Sequence, residues 1–254
     1  MLIAFLVLHL TASGRTEIRI ANNLQSNAIA AAAADGAISA AIFALSAPQP
    51  DQRWPVNGPV HQLKIGNCQV AVRLENEAAR INPSLASPAL MEALLRAVGN
   101  PPDVARRVAE AIGDWVGSSP TAKTADVLKM EYQAAGLAYA PPGGPLESLN
   151  ELNRVMGVTP ELYAALRPHL TLFGPPEPDP AGGDPVVTAA VGQTPQLGQA
   201  AAPVAASPPE TLIVRIDADA KGLGNAQVTR VAVVRVSPTL PQGYAVLAWG
   251  NTVD

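Results

Sequence analysis

Three histidines are the first residues of this chain to test for catalytic chemistry. They are His9, His61 and His169. None has a Ser, Asp or Cys at a spacing typical of nucleophilic catalysis. The chain also has no Gly-x-Ser-x-Gly motif and no phosphate-binding glycine loop. We therefore expect each histidine to be structural or exposed to solvent.

Two acidic pairs offer the other route to acid–base chemistry. Asp217 and Asp219 are two residues apart on a predicted strand, so they share a face, which we interpret as an exposed strand edge. Glu75 and Glu77 lie at a strand-to-helix junction, where a solvated turn with Asn82 as a helix cap is the simpler interpretation. A secreted hydrolase that uses Glu75 and Glu77 is an alternative function.

Three scattered carboxylates, Asp114, Asp126 and Glu131, surround a polar loop and are weak candidates for calcium. Calcium takes six to eight oxygen ligands, so three carboxylates are too few to predict a site, and no other cofactor is expected. The single cysteine, Cys68, excludes an internal disulfide and a cysteine-based metal site, and we expect it to be buried.

Composition argues against nucleic acid as a partner. The net charge is −4, whereas proteins that bind phosphate backbones concentrate Lys and Arg. The turn Gly157-Val158-Thr159-Pro160 is similar to a helix-hairpin-helix element, and a nucleic-acid-binding module is a second alternative function. With the acidic balance and no nearby Lys, we expect this turn to have a packing role.

The chain begins with an apolar run over residues 1–12, which is shorter than the roughly 20 residues needed to span a bilayer. Three interpretations stay open. The run is the core of a signal peptide, a helix end buried in its own domain, or the end of a longer membrane helix whose start lies upstream of Met1.

Residues 15–46 predict one long helix, because small and apolar residues recur every three or four positions and no proline occurs before Pro48. Such a stripe of small residues allows a covering sheet or neighbouring helices to approach closely. The stripe consists of Ile18, Ala21, Leu24, Ala28, Ala32, Gly36, Ala40 and Phe43.

Short strands and capped helices are predicted for the rest of the chain. Residues 63–65 and 68–74 alternate as strands, and three more strands after residue 210 predict an antiparallel meander, which the first pair could join. Between them, residues 80–173 predict short helices. Their start signals are Ser87-Pro88, Asp103, the Ser148/Glu151 capping box of a helix over 146–156, and Thr159-Pro160.

Five stretches of the chain, taken in order, carry a family resemblance. They are RTEIRIANNLQSNAIAAAAADGAISAAI, VRLENEAARINPS, LMEALLRAVG with AEAIGDWV, PLESLNELNRVMGVTPELYAALRPHLTLF, and TRVAVVRV with YAVLAWG. Together they resemble the protein K family of type II secretion systems, the large minor pseudopilins. The first is similar to the family's N-terminal helix, the second to its strand-to-domain junction, the next two to its inserted helical domain and the last to its final strands.

The resemblance implies an α+β pseudopilin fold, a long N-terminal helix packed on an antiparallel sheet with a large inserted all-α domain. The expected parts are an N-terminal helix (1–47), the first strands (48–78), the α-domain (79–173), a Pro/Ala-rich linker or loop (174–209) and the C-terminal strands (210–254). Acidic residues that family members carry after the Asp-Trp pair are missing after Trp115, which weakens the calcium expectation.

The resemblance also implies a non-enzymatic subunit at the tip of the type II secretion pseudopilus. The expected partners are the minor pseudopilins of types I and J, and beyond them the major pseudopilin and the inner-membrane platform. The globular part is expected in the periplasm, with the helix in the inner membrane. We expect a leader and further apolar residues to be encoded upstream. The predicted membrane and assembly residues are Leu2, Ile3, Phe5, Leu6, Leu8, Leu10, Ile18 and Leu24.

Overall fold

The computed structural model describes residues 2–47, 49–119, 123–194 and 211–252, and for residues 2–16, 50 and 181 the backbone alone. These residues form two compact units. Residues 1–75 and 215–253 make up a pilin-like unit, and residues 76–214 make up the α-domain, which lies between two strands in the sequence.

Helix α1, Leu2–Leu45, dominates the pilin-like unit. It is one continuous helix because alanine, the best helix former, fills its second half and the first proline comes only at Pro48. The predicted helix over 15–46 is confirmed, and its backbone continues into the apolar run.

The five strands of the pilin-like unit form one antiparallel sheet in the order β1-β2-β3-β4-β5. Gly66, with a φ of 56°, makes the tight turn between the first two strands. The sheet joins the early strand pair to the last three strands, as the sequence predicts. The strands are β1 His61–Ile65, β2 Cys68–Asn76, β3 Leu212–Lys221, β4 Gln227–Val236 and β5 Tyr244–Gly250.

One stripe of α1 packs on this sheet, mainly on β4, and it consists largely of alanines. Small side chains let the helix backbone approach the sheet closely, while Val214 and Ile216 of β3 and Val231 to Val234 of β4 supply the larger buried side chains. The buried residues of α1 are Ala30, Ala33, Ala34, Ala37, Ile38, Ala41, Ile42 and Leu45.

The α-domain is built from short helices around a core of leucines and aromatics. Ser87 caps α2 by accepting a hydrogen bond from the backbone N–H of Leu90, with Pro88 at the first helical position. Thr159 caps α5 in the same way. Both caps confirm the prediction. The helices are α2 Pro88–Ala97, α3 Pro102–Val116, α4 Ala125–Ala134, α5 Pro160–Leu166 and α6 Pro185–Gly192.

The start and the end of the α-domain core are tied together by a short parallel bridge. The N–H of Ile81 donates to His169 O, and the N–H of Thr171 donates to Ile81 O, both at 2.9 Å. The buried Asn82 amide extends this bridge by donating to the carbonyl oxygens of Leu172 and Gly174. Asn82 is therefore a buried tie between two segments. Its prediction as a helix cap is wrong, since Ser87 caps α2.

Two other local predictions for the α-domain are wrong. Asp103 lies inside the first turn of α3 rather than at its cap, because proline fixes an extended conformation at Pro101 just before the helix. The predicted helix over 146–156 is a six-residue 3-10 turn, Leu149–Arg154, although the Ser148/Glu151 capping box is present.

The stretch 174–209, predicted as a linker or loop, contains the packed helix α6 in its described part. Val187, Ala190 and Val191 of α6 are buried, and α6 packs against α2. Residues 174–182 return toward the start of the domain, where a Cβ at Gly182 would lie 1.9 Å from the Ala79 Cβ, so only glycine fits. Small apolar side chains suffice for α6 because the other helices of the α-domain supply most of the core. Residues 195–210 lie outside the described part.

Candidate functional site

The exposed face of α1 is the main candidate functional surface. All eight residues of the stripe predicted from sequence spacing are exposed, and the sheet packs on the neighbouring stripe instead. We call this set, Ile18, Ala21, Leu24, Ala28, Ala32, Gly36, Ala40 and Phe43, the outer stripe. Large apolar side chains stand at both ends of it. Ile18 is 62%, Leu24 66% and Phe43 80% exposed.

The chemistry of the outer stripe suits contact with another helix. Small residues occupy its middle, so a partner backbone could approach closely there, and the large apolar side chains at its ends would lose solvent exposure. Residues 17–25 are exposed on every side of the helix, which means that the sheet covers α1 only from about Ala30 onward.

Asp35 fixes the rotation of α1 on the sheet. Its Oδ1 accepts a hydrogen bond from Trp249 Nε1 at 2.9 Å and lies 3.3 Å from Arg230 Nε, so one carboxylate joins the helix to β4 and β5. β5 is an edge strand, and its Val246 and Trp249 are 44% and 41% exposed. Apolar surface is thus exposed on the sheet edge as well as on the outer stripe.

The N-terminal half of the predicted assembly residues lies in the helical backbone of α1. Their side chains, those of Leu2, Ile3, Phe5, Leu6, Leu8 and Leu10, lie outside the described part. Where side chains are described, the stretch Glu17–Leu45 is long and apolar enough to cross a membrane, and an 18-residue window of it has a mean hydropathy of 1.9. Of that window, 44% is buried, so its apolar content also serves the fold.

The calcium candidates already face a cation of the protein itself. Lys123 Nζ lies 3.2 Å from Asp114 Oδ2 and 2.8 Å from Glu131 Oε2, while Asp126 is exposed in the first turn of α4. Hydrogen bonding to Glu131 and the nearby Asp114 raise the pKa of Lys123. Calcium here would have to displace this ammonium and find further oxygens, so the donor set does not fit the ion as it stands.

Three of the four carboxylates in the two acidic pairs have structural contacts. Glu77 is almost fully buried and pairs with Arg80 at 3.1 Å, so the predicted solvated turn is wrong at this residue. Asp219 accepts a hydrogen bond from Thr229, and Asp217 lies 3.2 Å from Arg215 Nε. These are structural contacts on and beside the strands.

The histidines with described side chains also have structural surroundings. The His61 ring stacks on Trp54 at 3.9 Å between centroids, and His169 Nδ1 lies 2.7 Å from Asp184, the cap of α6. His9 lies among residues whose side chains are outside the described part. Across the described residues, no group of three or more His, Cys, Asp and Glu side chains could hold a metal ion.

The helix-hairpin-helix-like turn lies at the surface of the α-domain, where it packs against α3. Gly157 has a φ of 83°, and a Cβ there would lie 3.1 Å from Val108 of α3. The turn therefore contacts α3 closely, as the sequence predicts for a packing role.

Sequence reasoning missed two parts of the exposed apolar surface. Ile29 is 49% exposed beside the outer stripe, and Trp249 is exposed on β5. The signal for Trp249 is the next-to-last position of a strand pattern, but only the sheet order shows that this strand is an edge.

Comparison with known proteins gives a family match and matches to solved structures. The family model of the type II secretion system, protein K, matches residues 70–176. A chain of the crystal structure of the GspK-GspI-GspJ complex from enterotoxigenic Escherichia coli type 2 secretion system has a similar fold, with a TM-score of 0.61. The two chains are 17% identical, and the alignment covers 94% of this chain and 98% of that chain. No curated protein matches.

The family match covers the end of the first strand pair and most of the α-domain, which are the parts that distinguish a pilin-like body with an inserted helical domain. The α1-on-sheet packing and the five-stranded sheet complete the pseudopilin fold. Residues 70–176 of the chain therefore match the protein K family of type II secretion systems, and the chain as a whole has the fold of a pseudopilin.

Proposed function

We propose that this protein is a non-enzymatic subunit at the tip of the type II secretion pseudopilus. The observation that carries the proposal is the outer stripe of α1, an apolar helix face that the protein's own sheet leaves exposed. A subunit that works by assembly requires such a surface, whereas a catalytic subunit requires converging polar groups.

The proposed partners are minor pseudopilins of types I and J. Support comes from the fold, which is similar to that of a chain crystallised in a GspK-GspI-GspJ complex. Association would bury Leu24 and Phe43 against partner helices. Fully burying one such side chain stabilises by about 1.5–3 kcal/mol, so a few of them suffice for a specific contact.

The proposed location is the inner membrane, with both globular units in the periplasm. The apolar residues Leu2 to Leu10 would anchor α1 in the bilayer, and the stretch from Ile18 onward would be free for assembly. The major pseudopilin and the inner-membrane platform are further proposed neighbours. The bulky α-domain would act as a cap, because it would prevent the addition of a further subunit above it.

Co-expression of the full chain with its type I and type J minor pseudopilins tests this proposal. After detergent extraction, we expect the three proteins to elute together in size-exclusion chromatography. Leu24→Glu and Phe43→Glu should each weaken the complex at least tenfold, since each would bury a charge in an apolar contact.

Met130→Glu is the matched control, because Met130 is 60% exposed on α4 of the α-domain. It should leave the complex intact. Failure of the unaltered chain to bind either partner would overturn the proposal, and so would equal loss in all three variants.

A further inference from the structure

A groove of about 540 Å³ opens on the α-domain, and the proposed assembly role does not use it. This volume falls within the roughly 300–1,000 Å³ range of ligand sites. Its floor is aromatic, its sides carry prolines, and charged residues stand at its rim. The residues used below are Trp115, Tyr139, Pro142, Pro145, Glu147 and Arg154.

The floor of the groove is held rigidly. Trp115 is buried, and its ring packs against Tyr132 and Tyr139 with centroids 6.1 and 6.2 Å apart. The Glu151 carboxylate accepts hydrogen bonds from the N–H groups of Glu147 and Ser148 and lies 3.4 Å from Trp115 Nε1. A site that is already ordered loses little conformational entropy when it binds.

The rim carries two charges that the fold does not use. Among the described residues, neither the Glu147 carboxylate nor the Arg154 guanidinium has an ion-pair partner. The Tyr139 hydroxyl donates to Arg154 O, which fixes the ring, and Tyr139 is 39% exposed. An exposed aromatic ring in one groove with an unpaired carboxylate attracts a cation.

The charge of the whole domain points the same way. Residues 76–214 contain eight Lys and Arg against fourteen Asp and Glu, so the field around the groove is negative. The positive charge of Arg154 would repel a second cationic group, so the groove suits a ligand with one cation placed near Glu147. Pro142 and Pro145 add apolar surface beside the ring, which suits apolar neighbours of that cation.

We propose that this groove binds an extended polypeptide segment carrying one Lys or Arg side chain between prolyl or other apolar residues. The basic group would lie over Tyr139 and pair with Glu147, and its neighbours would pack on Pro142 and Pro145. A proline-containing segment suits an aromatic groove because its extended form exists before binding. The proposal stands independently of tip assembly.

Fluorescence anisotropy with the full chain in detergent tests the groove. The probe is a labelled, end-blocked decapeptide of alanine and proline with one central arginine, and the control peptide carries glutamine there. We expect saturable binding of the arginine peptide and at least tenfold weaker binding of the glutamine peptide. Equal binding of both peptides, or none of the arginine peptide at millimolar protein, would overturn the proposal.

Variants locate the binding within the groove. Tyr139→Ala should weaken the arginine peptide about tenfold, whereas Tyr139→Phe, which keeps the ring, should bind it nearly normally. Glu147→Gln should weaken it about threefold, and Arg154→Gln should leave it unchanged or tighter. Glu161→Gln, an exposed carboxylate of α5 outside the groove, is the matched control and should have no effect.

A carbohydrate is the competing ligand class for a groove with an exposed aromatic ring. Chitotetraose should fail to displace the peptide from the unaltered protein. Displacement that depends on Tyr139 but not on Glu147 would contradict the proposal and point to a sugar site. Retained thermal melting of every variant excludes unfolding as the cause of lost binding.

Discussion

The two units of this chain differ in where their large apolar side chains lie, buried in one and exposed in the other. Of the twelve largest fully buried side chains among the described residues, ten belong to the α-domain, and only Ile38 and Ile216 belong to the pilin-like unit. Of the thirteen exposed large hydrophobic residues, nine belong to the pilin-like unit and four to the α-domain.

This difference indicates that large apolar side chains stabilise the fold in the α-domain and remain available for contacts with other subunits in the pilin-like unit. The pilin-like unit folds on small side chains and leaves large ones on its surface, as expected of a unit that other subunits complete. The α-domain uses its large side chains internally. The charges differ too, with nine Lys and Arg against six Asp and Glu in the pilin-like unit and a marked acidic excess in the α-domain.

The strongest test of the contrast is truncation of a large core side chain. Leu94 of α2 is fully buried, and Leu94→Ala should lower the free energy of unfolding by about 3–4 kcal/mol through lost burial and a residual cavity. Urea denaturation measures this. Leu223→Ala removes a 64% exposed leucine of the other unit and should change stability by less than about 0.5 kcal/mol. Comparable losses would contradict the comparison.

A second test concerns the two faces of α1. Ala37 is fully buried against the sheet, so Ala37→Leu should destabilise the protein by about 2 kcal/mol through overpacking. Ala40 lies on the outer stripe, and Ala40→Leu should leave the unfolding of the isolated subunit unchanged. Thermal denaturation compares the pair. A larger loss for Ala40→Leu would mean that the outer stripe faces the sheet.

Local sequence signals should matter most in the α-domain, where helices are short. Ser87→Ala removes the hydrogen bond to the Leu90 N–H and should cost about 1 kcal/mol. Thr124 occupies the cap position of α4 without a side-chain hydrogen bond, so Thr124→Ala is the control and should cost much less. Urea denaturation measures the free energy of unfolding. If both substitutions lower it by the same amount, side-chain capping does not stabilise the helices of this domain.

The smallest expected effect on stability is that of removing the ion pairs of Lys123. Its pKa is raised, so its ion pairs stabilise the protein fully below its ordinary value of 10.5, and this contribution is lost as the pH rises through the raised value. Because Lys123 is 38% exposed, the contribution should stay below about 1 kcal/mol. The difference in urea midpoint between the unaltered chain and Lys123→Met should be present at pH 8 and vanish above the raised pKa.

Calcium provides a further arm of the Lys123 experiment. Millimolar calcium should not change the melting temperature of the unaltered protein, because the ammonium already occupies the point between Asp114 and Glu131. A clear calcium-dependent rise would show instead that these carboxylates bind the ion.

Much of the fold followed from local rules in the sequence. The absence of proline before Pro48 predicts α1, alternation predicts the strands, and Ser87 and Thr159 mark helix starts. These features depend on the few residues around them. The turn over 149–154 was mistaken for a longer helix because an apolar spacing does not distinguish a 3-10 turn from an α-helix.

The features that the sequence left open or predicted wrongly depend on distant residues. Spacing placed Leu24 and Phe43 on one stripe, but only the sheet decides which stripe is covered, and it covers the alanines. The local sequence predicts a solvated turn at Glu77 and a cap at Asn82, yet contacts with Arg80 and with Leu172 place these residues in the interior. α6 looked like linker because its burial requires α2.

Site-specific photo-crosslinking in cells tests the central claim most directly, that the outer stripe is the assembly surface and the α-domain surface is not. A photoreactive residue would be placed at Phe43 on the outer stripe or at Met130 on α4, two exposed positions in different units. Our account predicts crosslinks from position 43 to a type I or type J minor pseudopilin and none from position 130. Crosslinks to these partners from position 130 alone would contradict it.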